Sequence, residues 1–138
     1  MSVCVCDTRG VVVKVTCSNG GGFSLALSDR GDVYSWGYGQ PRALGHGSDN
    51  SLATPRVIQS LEGKRIRDIG VGTNFSMALT FEGEVYVWGT MGYALGLGDC
   101  GHDPELYPRL NHLLAVRLLF LLLWRRQELW AHMNHGWH

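Results

Sequence analysis

Three histidines at His132, His135 and His138 are spaced so that a helix would gather them on one face, as a bound metal ion requires. No Cys or carboxylate at ligand spacing completes such a set, so these residues read as a solvated tail and no metal is expected. Cys4, Cys6, Cys17 and Cys100 lack the paired C-x-x-C spacing of a zinc site. Asp7, Asp29, Asp32, Asp49, Asp99 and Asp103 form no spaced pair that would divide acid from base, and neither Ser24 nor Ser76 has a defined His to activate it. Catalytic and cofactor-binding residues are therefore expected to be absent. The glycines Gly45, Gly47, Gly96 and Gly98 follow no phosphate-loop pattern and read as turn residues. The loops that carry them hold His46, Asp49, Asp99 and His102, which are candidate contacts to a partner, because loops on a rigid scaffold usually carry binding.

The scaffold for those loops is an internal repeat. Phe75 to Gly89, FSMALTFEGEVYVWG, copies Phe23 to Gly37, FSLALSDRGDVYSWG, 52 residues earlier, with nine of fifteen positions identical. Unrelated segments of average composition would match at about one position. Within each copy Phe23, Leu25 and Leu27, or Phe75, Met77 and Leu79, share one face of an extended segment. The turns Ser28-Asp29-Arg30-Gly31 and Thr80-Phe81-Glu82-Gly83 end on Gly, as a type I turn with a bulge requires. The return segments, with Val33, Tyr34, Trp36 and Gly37 or Val85, Tyr86, Trp88 and Gly89, are rich in β-branched and aromatic types. Each copy is predicted to be a hairpin. Leu27 and Leu79 complete the repeated structural positions. Trp36 and Trp88 with Tyr34 and Tyr86 could form a stacking platform, but their fixed place in both copies favours packing.

A period near fifty in a β-rich chain belongs to propeller blades. At 138 residues the chain holds fewer than three such units, and a closed ring needs at least about four. Nineteen Gly, about twice the average share, favour many short strands. The predicted class is all-β, an incomplete propeller of two four-stranded blades. A strand over Val11 to Val15 is expected to answer Ile66 to Val71, with Gly20 answering Gly72. The divisions are 1–22 as lead-in strand and Gly-rich loop, 23–67 and 68–110 as the repeats, and 111–138 as an apolar segment and tail.

Twelve basic and twelve acidic residues cancel, so no global field draws the chain to nucleic acid. The most basic strip, Gly63-Lys64-Arg65-Ile66-Arg67, reads as a solvated edge or loop. The opening MSVCVCDTRG lacks a signal-peptide pattern, which points to an intracellular setting, cytoplasmic or nuclear, with free thiols.

The runs ALSDRGDVYSWG, LGHG and TPRVI, answered by ALTFEGEVYVWG, LGLG and YPRL, resemble the regulator of chromosome condensation repeat over roughly residues 11 to 110. Full-length members form seven-bladed propellers, and the resemblance implies a role in protein interaction. Members act as exchange factors for a small Ran-type GTPase, as substrate-binding parts of ubiquitin ligases, or as scaffolds, so a small GTPase and a ubiquitin-pathway protein are the partners it implies. The family usually has His where this chain has Phe23 and Phe75, and Gly-Gln where it has Arg42-Ala43 and Tyr93-Ala94. Those replacements remove polar links between strands and blades and leave Phe packing in their place.

The repeat stops after residue 110. Leu113 to Trp124, LLAVRLLFLLLW, is shorter than the roughly twenty apolar residues that span a bilayer and contains Arg117. Three readings suit it: a cover over an open blade edge, a peripheral membrane or partner anchor, and sequence foreign to the original gene reading. The expected function is a non-enzymatic protein-interaction module that self-associates through its open faces. Nucleotide exchange on a Ran-type GTPase and membrane association are the rivals.

Overall fold

The computed structural model describes residues 10–20, 22–39, 42–90 and 105–111. The apolar segment Leu113 to Trp124, the three tail histidines, Asp99 and His102 lie outside them. Eight strands run in order as β1 (Val12–Cys17), β2 (Phe23–Ser28), β3 (Val33–Gly37), β4 (Leu52–Val57), β5 (Ile66–Val71), β6 (Phe75–Thr80), β7 (Val85–Gly89) and β8 (Glu105–Leu110), with a 3-10 turn at Gln59–Leu61 between β4 and β5. They form two four-stranded antiparallel sheets, β1-β2-β3-β4 and β5-β6-β7-β8. Each sheet begins with the strand ahead of its hairpin.

The hairpins follow from their turns. In the first, the Gly31 amide donates to the Ser28 carbonyl and the Ser28 amide to the Asp32 carbonyl, while the Ser28 hydroxyl accepts from the Asp32 amide at 3.0 Å. Thr80, Gly83 and Glu84 reproduce the same three bonds. Gly31 and Gly83 have φ of 86° and 90°, where a side chain would be strained. The two hairpins consequently share one register, Phe23 opposite Gly37 and Phe75 opposite Gly89.

The outer strands do not keep the 52-residue offset. Val12 lies opposite Ser28 as Ile66 lies opposite Thr80, and the Ser18 amide bonds the Phe23 carbonyl as the Gly72 amide bonds that of Phe75. Ser18, rather than Gly20, therefore answers Gly72. The cause is the connection into the hairpin, residues 18–22 in the first sheet against 72–74 in the second. Two extra residues there move the strand by two.

The main core lies between the sheets. Phe23, Leu25, Leu27 and Val33 of the first sheet meet Ile66, Ile69, Ala78, Tyr86 and Trp88 of the second, with Ala43, Leu44, Ile58 and Leu61 from the connecting segments. Phe23 is buried there as a packing residue. On the far side of the second sheet Val85 and Val87 are buried, while Phe75, Met77 and Leu79 are only partly so. A Lys14–Asp68 ion pair joins β1 to β5 at the surface, and its hydrogen bond holds the Asp68 carboxyl below its ordinary pKa. In the basic strip, Ile66 is buried, Lys64 lies 5.0 Å from the centre of the Tyr86 ring, and Arg65 lies over Phe81 and 3.7 Å from Glu82.

Candidate functional site

The loop after β3 is fixed to both sheets through two successive carbonyls. Trp88 Nε1 and Ser76 Oγ, both on the second sheet, donate to the Ala43 carbonyl at 2.6 and 2.8 Å. Ser35 Oγ of β3 donates to the Leu44 carbonyl at 2.6 Å. Polar links between the sheets are thus made by Trp and Ser, even with Phe at the usual His positions. Gly45 follows with φ of 79°, and a Cβ there would stand 2.9 Å from Trp88 Nε1, so the loop passes the indole only because this residue has no side chain. No buried side-chain polar atom among the described residues lacks a hydrogen-bond partner.

His46 emerges from this anchored segment. Its Nε2 lies 2.7 Å from Ser35 Oγ. Ser35 has one proton and gives it to Leu44, so its oxygen accepts from His46, which places the imidazole proton on Nε2. Burial lowers the pKa of His46, the Arg56 charge lowers it further, and hydrogen bonding to the Ser35 backbone acts in the opposite direction. The ring is held neutral.

Beside it is a hollow of about 110 Å³ lined by Gly45, His46, Arg56, Gln59 and Tyr107. Arg56 stands on β4 directly opposite Ser35, Gln59 opens the 3-10 turn, and Tyr107 comes from β8 of the other sheet, its ring lying against Gly47. The hollow therefore straddles the seam between the two sheets. Among the four loop residues marked as candidate contacts, His46 lines it; Asp49 is exposed and is not part of the lining. Arg56, Gln59 and Tyr107 were not marked, although Pro-Arg recurs as Pro55-Arg56 and Pro108-Arg109 and could have drawn attention to the position. Tyr34, Tyr86 and Trp88 are buried and Trp36 is partly exposed, so the two Trp-Tyr pairs do not make matching open platforms. Among the described residues no cluster of three His, Cys, Asp or Glu could hold a metal ion, and no helix is long and apolar enough to cross a membrane.

Family models described as the regulator of chromosome condensation (RCC1) repeat match residues 30–79 in one form and residues 12–40 and 66–94 in another. Together they take in both hairpins. The chain belongs to the RCC1 repeat family. It is 44% identical over 105 residues to the human E3 ubiquitin-protein ligase HERC2, covering 75% of this chain and 2% of the ligase. It is 46% identical over 100 residues to the ultraviolet-B receptor UVR8 of Arabidopsis thaliana, covering 71% of this chain and 22% of the receptor. The crystal structure of human WBSCR16 superimposes with a TM-score of 0.67 at 29% identity, over 77% of this chain and 26% of that one. Yeast RCC1 (Prp20), solved with Kap60, gives 0.64 at 25% identity, over 78% and 26%. The RCC1-type chain thus spans about a quarter or less of each of these proteins, and its two sheets are two propeller blades.

Proposed function

We propose that this chain is a non-enzymatic protein–protein interaction module that presents the loop after β3 and the seam beside it to a protein partner. The observation that carries the reading is the double anchorage of that loop. Ala43 and Leu44 are pinned by three donors from two sheets, so His46 and its surroundings are displayed with little freedom to lose on binding. The relatives support a partner of this kind. Yeast RCC1 (Prp20) was solved bound to Kap60, and the same yeast protein was characterised for binding to Gsp1p and histones. HERC2 is a ubiquitin ligase, of which only a small part corresponds to this chain. A small GTPase and a ubiquitin-pathway protein are the two partner classes this favours, in the cytoplasm or nucleus.

The test separates holding a partner from acting on it. Purified chain, assayed by fluorescent-nucleotide release from a Ran-type GTPase, is expected to leave the release rate unchanged, and cross-linking in cell extract is expected to trap a discrete protein that a chain carrying Asp49→Arg, an exposed change in the same loop, does not trap. An acceleration of about tenfold or more, equivalent to about 1.4 kcal/mol of barrier, would replace this reading with nucleotide exchange.

A further inference from the structure

We propose that the hollow at the seam seats one carboxylate, the side chain of a Glu or Asp presented by a protein partner, with the Arg56 guanidinium as its counter-charge. The proposal rests on the interaction-module reading and names the chemistry that the partner must bring.

Arg56 makes no ion pair or hydrogen bond among the described residues, unlike Lys14, which pairs with Asp68, and Arg65, which pairs with Glu82. Its backbone is nevertheless fixed beside the site, because it pairs with Ser35, the residue that holds His46. Gln59 and Tyr107 also line the hollow, and neither side chain makes a hydrogen bond among the described residues. Guanidinium, amide and phenol are all donors, and the carboxylate is the acceptor-only side chain that can take several of them at once. The lining contains no carboxylate of its own.

Charge selects the class further. The lining has one permanent cation, Arg56, and His46 already spends its Nε2 proton on Ser35. One positive charge balances a carboxylate; a phosphate monoester, with about two negative charges at neutral pH, would remain half neutralised. A hollow of about 110 Å³ has room for a carboxyl group and its first methylene, but not for an extended chain. Arg56, Gln59 and Tyr107 are exposed, so the acid can enter from solvent without opening the core.

The experiment is an NMR titration of the full-length chain with the blocked tripeptide acetyl-Gly-Glu-Gly-amide, following the Arg56 Nε–H and His46 ring resonances. Saturable shifts within about 50 mM are expected, the range of a single charged contact. The Gln counterpart of the peptide should give none, and Arg56→Gln should weaken the Glu peptide by about tenfold or more while its circular dichroism melt stays that of the parent. Equal shifts with the Glu and Gln peptides, no saturation, or saturation by inorganic phosphate but not by the Glu peptide would each overturn the proposal. If the peptide fails while the chain still cross-links to its protein partner, the carboxylate seat falls and the interaction module stands.

Discussion

At the scale of single residues, the Ser35 hydroxyl proton sets the arrangement around His46. By giving it to the Leu44 carbonyl, Ser35 fixes the tautomer of His46 and ties the ring to a buried strand. The sequence marked His46 as a loop residue, but its partner is eleven positions away in β3, and nothing local announces that contact. The pH consequence has a definite sign. His46 is depressed below its ordinary value of 6.5 in the fold, so the unfolded chain takes up the proton first as pH falls. The contribution of this residue is present above pH 6.5 and is lost on acidification below it. Melting temperature measured from pH 7.5 to 5.0 should fall more for the native chain than for His46→Gln, whose amide keeps a donor for Ser35 without titrating. Parallel pH profiles would show that the ring is not held neutral.

At the scale of elements, what was legible was what is made locally. The turn residues Ser28 to Gly31 and Thr80 to Gly83 carry their own hydrogen bonds, so both hairpins could be read from the repeated sequence. The offset of β1 from β5 could not, because the lengths of the connections at 18–22 and 72–74 set it, and a repeat is blind to insertions between its units. Nor did the repeat reveal that its two tryptophans have different surroundings. Trp88 is fully buried and hydrogen-bonded across the seam, whereas Trp36 is partly exposed and makes no hydrogen bond among the described residues. Trp88→Ala should therefore cost about 3 to 5 kcal/mol, and Trp36→Ala about 1 to 2 kcal/mol. Chemical denaturation of the two variants gives the comparison; equal losses would mean that the seam adds nothing to the hairpin.

At the scale of the whole chain, each sheet offers a different face to its neighbour. The first sheet meets the second with Phe23, Leu25 and Leu27, and the second leaves the equivalent positions, Phe75, Met77 and Leu79, partly exposed beside an apolar groove of about 220 Å³. The fold class was legible because a fifty-residue period has few β-rich solutions; the seam was not, since its donors and acceptors are far apart in sequence. Repeat units draw stability from neighbours. Residues 1–110 alone are accordingly expected to self-associate, and light scattering against the full-length chain at matched concentration is the check. A monodisperse monomer from residues 1–110 would show that the exposed positions need no cover.

The strand order also has a consequence for synthesis. Within each sheet every strand pairs with the next in the chain, so the first sheet can close before the second has left the ribosome. The Ala43 carbonyl must then wait for Ser76, 33 residues on, and for Trp88, 45 residues on. At about 5 to 20 residues per second that interval is roughly 2 to 9 seconds. Throughout it the Phe23, Leu25 and Leu27 face of a nascent blade has no second sheet to cover it, which makes this the period in which a chaperone would find the chain.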